Sequence, residues 1–331
     1  MKEKNKGFTL VELLAVIVIL ALIALIATPI ILNVINDAKK QAAKDSAYGY
    51  MDAVEKYIVS SELEDKSIQD RTYSVEELNS MGVSVKGSTP DNGNIEIKNS
   101  SVKSYDIGID GYAVSNGEVE KVSTTKKFEN GTAVYYNPVS GEKCKSSEAV
   151  STTGIKNGCM KWYVFNDKEG NATVNVILDH NTTANVAWNS TGNNSEMKEV
   201  ANALKTDTST WKNTARLITA NEIAKITGHP TFDASKENQK YFYLDSNNQT
   251  QTVNASNKSK YAWLFDYTIG CTNYGCNTSD SSNWGYWTSI PYKDNTINVW
   301  VVNSYGSLTL DYVTRTVVGI RPVITISKSN I

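Results

Sequence analysis

Apolar residues are concentrated at one end of this chain. Residues 13–32 run for 20 positions without a charge. As a helix at about 1.5 Å per residue they extend roughly 30 Å, the thickness of a bilayer's hydrocarbon core. A polar leader holding Lys2, Lys4 and Lys6 precedes the run, and Glu12 stands at its start. A carboxylate near a membrane centre costs on the order of 2.5–3.5 kcal/mol, so a partner for Glu12 is expected. Beyond Pro29, the residues Ile35, Ala38, Ala42, Ala47, Tyr50, Met51, Val54, Tyr57 and Ile58 recur mostly at three- and four-residue steps. Charged residues from Asp37 to Lys56 occupy much of the other face, which predicts an amphipathic continuation. The helix predicted over 8–60 is about 80 Å long, with Pro29 kinking or locally melting it.

A different rhythm follows. In 61–122, Ser74 and Glu77 predict a capping box that opens a short helix, and Gly82 its end. Asp91-Asn92-Gly93 predicts a turn. Ile95 and Ile97, then residues 105–109 and 112–114, alternate with polar positions as strands do. Asn116-Gly117 predicts a tight hairpin. This is a small antiparallel sheet burying one face on the long helix. Residues 123–130 are polar and charged and predict a linker. In 131–331, strands are predicted over 132–136, 160–165, 172–178, 261–265, 297–302, 307–310 and 317–326. Two helices are predicted as well: 196–205 with Ser195 as N-cap, and 220–227 with the box Thr219–Glu222 and the stop Gly228. The fold class is α+β, with a long hydrophobic helix, a small head and a second α+β domain.

Length supports two folded domains plus the helix. With 33 basic against 35 acidic residues, the charge balance gives no footprint for nucleic acid. Arginine occurs only at positions 71, 216, 315 and 321, and the excess of lysine and asparagine hints at an AT-rich, Gram-positive host. The four cysteines (Cys144, Cys159, Cys271 and Cys276) all lie beyond the apolar run, where an exported location permits disulfides. Three pairings are open, the local ones being the simplest. Zinc is disfavoured because there is no paired CxxC and both histidines lie far from the cysteines in sequence. No metal or cofactor is expected.

The segment Gly7-Phe8-Thr9-Leu10-Val11-Glu12-Leu13, behind its basic leader, resembles the processing signal of type IV prepilins. The resemblance implies a leader over 1–7, cleavage between Gly7 and Phe8 by a membrane prepilin peptidase, and N-methylation of Phe8. It also implies that Glu12 pairs with the N-terminal amine of a neighbouring subunit in an apolar filament core. Pro29 falls where many members carry a helix-bending proline. An ordinary signal peptide fits less well, because its apolar core spans about 7–15 residues with the cut after it. The implied partners are the peptidase, the assembly machinery, the membrane and sister pilins, with nucleic acid only for a DNA-uptake pilus. The implied location is a single-pass membrane state before assembly and the cell surface after it. The head also resembles Gram-positive type IV pilins. The closing pattern, from Trp284-Gly-Tyr-Trp to Gly319-Ile-Arg-Pro, resembles Gram-positive surface modules and, more distantly, C-type-lectin-like folds.

Chemistry in the second domain is sparse. Its seven tryptophans are expected mainly in the core, with Trp284 and Trp287 as the candidate ligand face because loop-forming residues surround them. Asp245-Ser-Asn-Asn-Gln only suggests a calcium loop, and no such site is expected. His180 is a candidate general base without a nucleophile motif. His229 is expected as a cation at a helix end, and Arg321 as a buried or partly buried partner for a carboxylate. No catalytic residue is assigned. The expected function is a pilus subunit, with a minor or tip adhesive pilin as its finer form. The alternatives are a pseudopilin of a secretion or DNA-uptake system, or a glycan- or protein-binding adhesin on a pilin stem.

Overall fold

The computed structural model describes residues 10–64, 66, 68–122, 127–149, 157–182, 185–229, 232, 261, 263–264, 285–293, 295–303 and 308–331. Helix α1 (Leu10–Leu63) is a single element of 54 residues, about 80 Å long. It runs unbroken through Pro29, so the local melting expected there does not occur. The proline ring removes one backbone donor from a long cooperative ladder, and the helix propagates on either side of it. Immediately before the proline, the Thr28 hydroxyl donates to the Ala24 carbonyl one turn back at 2.6 Å.

Burial on α1 begins late. Ala43, Ala47, Tyr50, Met51, Val54, Ile58 and Ser61 form its buried stripe, in steps of three and four residues. Ile35, Ala38 and Ala42 are exposed, although the same periodicity placed them on the packed face. Burial by the head reaches down the helix only as far as Ala43, with the Lys121 ammonium extending further to Asn36 Oδ1 at 3.4 Å.

The head is a five-stranded antiparallel meander of β1 (Arg71–Ser74), β2 (Asn92–Ile97), β3 (Val102–Ile109), β4 (Tyr112–Ser115) and β5 (Glu118–Lys121), in that spatial order. Ile95, Ile97, Ile107, Ile109 and Val114 pack with the α1 stripe in one core. The β4–β5 turn is the expected two-residue hairpin. Ser115 faces Glu118, and Asn116 and Gly117 take φ of 46° and 88°, as a type I′ turn requires. Asn92 and Gly93, expected in a turn, open β2 instead. Gly93 has φ +142°, and a Cβ there would lie 2.3 Å from the Asp106 carbonyl oxygen, so this glycine serves close strand approach.

Helix α2 (Val75–Met81) starts at Ser74, whose hydroxyl accepts from the Glu77 N–H at 3.1 Å. Only half of the expected box forms. The Glu77 carboxylate turns to the Arg71 guanidinium, which itself lies 3.7 Å from the centre of the Tyr73 ring.

The chain beyond residue 127 builds two further antiparallel sheets. One contains β6 (Ala133–Asn137), β7 (Glu142–Lys143), β8 (Met160–Phe165), β9 (Thr173–Leu178), β10 (Arg216–Leu217) and β14 (Pro322–Ser327), in the order β10-β14-β9-β8-β6-β7. The other is β11 (Gly285–Pro291), β12 (Asn298–Asn303) and β13 (Leu308–Tyr312). Helix α3 (Glu199–Asp207) begins three residues later than expected, with Lys198 and not Ser195 at its N-cap. Helix α4 (Ala220–Ile226) carries the predicted capping box, Glu222 N–H to Thr219 Oγ1 at 3.0 Å and Thr219 N–H to Glu222 Oε2 at 2.9 Å. Strand β11 was not expected. Tyr261, Trp263 and Leu264, expected in a strand, are helical. The strand predicted over 317–326 is interrupted, with a bridge between Tyr286 and Gly319 preceding β14. Cys144 and Cys159 form a disulfide. Cys271, Cys276, the Asp245 stretch and positions 123–126 of the expected linker lie outside the described residues.

The head sheet is covered on both faces, contrary to the one-sided expectation. Five of six β2 positions are buried, because the sheet containing β9, β10 and β14 packs on the face opposite α1. The seam is polar. The Asn92 amide donates to Thr173 O at 2.9 Å, the Asn94 amide to Thr214 O at 3.1 Å, and the Thr214 N–H to Asp106 Oδ2 at 2.6 Å. Arg216 Nε donates to Asn94 Oδ1 at 2.6 Å. Polar residues alternate with apolar ones along β2 and β3, which reads as a solvent face in sequence. Here that face meets a second polar surface.

Candidate membrane and assembly helix

Two surfaces share α1. From Ala43 onward it carries the head. From Leu10 to Ile35, about 40 Å at 1.5 Å per residue, it projects beyond the head, whose Lys121 ammonium reaches Asn36 Oδ1 at 3.4 Å. Every large apolar side chain within residues 10–35 is exposed, from Leu10 at 84% to Ile35 at 43%. Soluble proteins rarely leave contiguous apolar surface of this extent in water, and the helix is long and apolar enough to cross a membrane. Glu12 lies in its first turn, where the positive end of the helix dipole favours a carboxylate. Gly7 and Phe8 lie outside the described residues.

The stem is held to the head by more than apolar packing. Tyr50, fully buried, donates its hydroxyl to Asn79 Oδ1 at 2.6 Å. Burial pushes the Tyr50 phenol well above its usual range, so it stays a neutral donor.

Candidate residues elsewhere are not brought together. Trp287, half of the expected ligand face, has no exposed surface, and its indole N–H donates to Val186 O at 2.8 Å. Gly285, at φ +135°, lets β11 lie against Val302 and carries Trp287 into a core with Trp188, Val299 and Val301. The segment is core strand, not loop. Trp284 lies outside the described residues.

His180 is 1% exposed, with Nδ1 2.6 Å from Asp179 Oδ1. The carboxylate orients the ring, and both side chains are buried. Burial also lowers the His229 pKa, against the cation expected at that helix end. Arg321 is buried on main-chain carbonyls: Nε on Leu178 O at 2.5 Å, Nη1 on Leu264 O at 3.0 Å and Nη2 on Trp263 O at 2.5 Å. It lies 5.2 Å from the Tyr286 ring centre. The carboxylate partner expected for it is replaced by three backbone acceptors, which tie β14 to segments far away in sequence.

Two buried ion pairs went unforeseen. Arg216 grips Glu222 in a fork, with Nη1–Oε2 at 2.7 Å and Nη2–Oε1 at 2.6 Å. Lys328 meets Asp167 at 2.9 Å. The scarcity of arginine was the available signal for the first, and nothing in the sequence marks the second. Among the described residues no group of three His, Cys, Asp or Glu side chains is arranged to hold a metal ion.

Compared with known proteins, residues 2–28 match the prokaryotic N-terminal methylation motif. No curated protein and no solved structure matches the chain.

Proposed function

From the premise that this chain carries the N-terminal methylation motif of the type IV pilin and pseudopilin family, we propose that it is a pilus subunit. It enters the membrane through α1, is cut between Gly7 and Phe8, is methylated at Phe8, and is drawn into a filament. The observation that carries this reading is the bare apolar length of α1, rigidly continuous with the stripe that holds the head. A helix of this kind has two environments that match it: lipid, and the same surface on sister helices. Extraction from the bilayer then replaces one apolar contact by another, at about 25 cal/mol per Å² on either side. Pairing of Glu12 with the N-terminal amine of the next subunit would fix the axial register, since an acid and an amine left apart in an apolar core are both costly.

The motif implies processing by prepilin peptidase and use of its assembly machinery. No catalytic role is proposed, and members of the family are typically structural. The finer reading is a minor or tip subunit that presents the 127–331 portion outward. It is favoured by two sheets and the helices α3 and α4 among the described residues, beyond what the stem needs for cover.

Mass spectrometry of sheared surface filaments tests the proposal. The expected chain begins at N-methylated Phe8, and Gly7→Leu leaves uncut precursor in the membrane. A chain found only in membranes with Met1 to Gly7 attached overturns it. A processed chain absent from long filaments points to the pseudopilin reading, and glycan-array binding by the purified protein supports the adhesive one.

A further inference from the structure

Filament assembly makes no use of the pair formed by Asp167, which follows β8, and Lys328, which follows β14. Lys328 Nζ lies 2.9 Å from Asp167 Oδ2, and neither side chain has exposed surface. The Phe128 N–H donates to the same oxygen at 2.8 Å. Lys328 also donates to the Lys168 carbonyl at 3.2 Å, and the Phe128 ring centre is 5.9 Å from Nζ. Asp167 Oδ1 has no hydrogen-bond partner. Drying both ions costs more than their attraction commonly returns, and the orphaned carboxylate oxygen adds to that cost. A cavity of about 200 Å³ opens beside the pair, with Asp91, Lys168 and Asn171 on its walls.

We propose that Lys328 and Asp167 are a cross-linking site, where Lys328 Nζ and Asp167 Cγ condense to an intramolecular amide. In the reacting form the ammonium has passed a proton to the carboxylate, leaving a neutral amine beside a carboxylic acid. The nitrogen lone pair attacks Cγ, the C–N bond forms and the Cγ–Oδ1 bond breaks. Oδ1 departs as water, carrying the acid proton and one proton from the amine. Nothing is oxidised, and no co-reactant is consumed. The Phe128 N–H is placed to steady Oδ2 as charge gathers on it.

Two features drive a condensation that bulk water disfavours. Fixed contact between amine and acid corresponds to effective molarities of about 10⁵–10⁸ M, and burial of both side chains keeps bulk water from the reacting atoms. The product is one neutral amide in place of two buried charges. It fastens the end of β14 to the β8–β9 connection, so that pulling on the chain cannot peel β14 from β9.

The test is tryptic digestion of the unfolded full-length protein, after purification in detergent and proof of cooperative melting, with peptides read by mass spectrometry. The expected result is residues 162–168 joined to 316–331 in one species, lighter by one water than the two peptides together, because trypsin does not cut after an acylated Lys328. Separate peptides with cleavage after Lys328 overturn the proposal. Lys328→Arg keeps the charge pair without a condensing amine. It is expected to fold, yield no linked species and melt at lower temperature. A linked species of the same composition persisting in that variant also overturns the assignment.

Discussion

Glu222→Gln takes the charge from a buried, fully hydrogen-bonded ion pair while nearly conserving its shape. Glu222 accepts four hydrogen bonds: two from Arg216, one from the Thr219 N–H at 2.9 Å, and one from the Thr219 hydroxyl at 3.1 Å. A glutamine offers one acceptor oxygen in place of two and turns an NH2 toward groups that are themselves donors. Arg216, 1% exposed, is then a cation without its counter-charge. Removing one member of a buried pair costs about 3–5 kcal/mol, a large share of a typical stability of about 5–15 kcal/mol. Arg216 Nε also holds Asn94 on β2, so the loss reaches the seam between head and second sheet. Urea titration of the full-length protein in detergent, followed by tryptophan fluorescence, measures it. With a slope of about 2–3 kcal/mol per molar, the midpoint falls by about 1–2 M. Arg216→Met combined with Glu222→Leu recovers much of this, because no lone charge remains, less about 1 kcal/mol for the lost cap on α4. A midpoint shift below about 0.3 M in Glu222→Gln refutes the reasoning.

Four further outcomes are expected. Glu12→Ala leaves export and cleavage intact but lowers the number of filaments counted by electron microscopy, and normal numbers contradict the register role. Replacing Cys144 and Cys159 together by alanine opens a loop of 15 residues and lowers stability by about 3 kcal/mol, read from the same urea titration. Gly285→Ala puts a Cβ 1.7 Å from the Val302 carbonyl oxygen at φ +135° and costs upwards of about 3 kcal/mol, seen as lost protease resistance. Asp106 is held above the usual carboxylate range by burial, against opposing hydrogen bonds from Ser115 and Thr214. The folded state therefore binds its proton more tightly than the unfolded state. This contribution is fully present below about pH 4 and is lost as pH rises through the raised value. Asp106→Asn is expected to flatten that part of the stability–pH curve, and a curve parallel to the parent's rules out Asp106 as its source.

How much was legible in the sequence depended on distance along the chain. Residues 13–32 declare an apolar helix without help, since length and absence of charge are local facts. The Thr219–Glu222 box and the Asn116-Gly117 turn involve groups within three residues of each other, and both form as expected. Local rules fail where a distant group competes for the same atom. Glu77 abandons its cap because Arg71, a strand away, offers a full charge. Arg321 lacks its expected carboxylate because carbonyls at 178, 263 and 264 converge on it first.

The amino-acid order by itself determined that this protein has an apolar stem, an N-terminal methylation motif at residues 2–28 and an α+β body. Each of these follows from short-range periodicity or adjacent residues. The tertiary structure decided which surfaces are free. It covered the second face of the head sheet, drew Trp287 inward, left about the first 40 Å of α1 bare and buried Lys328 against Asp167. Burial is a property of pairs of segments remote in sequence. Alternation along one strand states only that two faces differ, not what will lie against each of them.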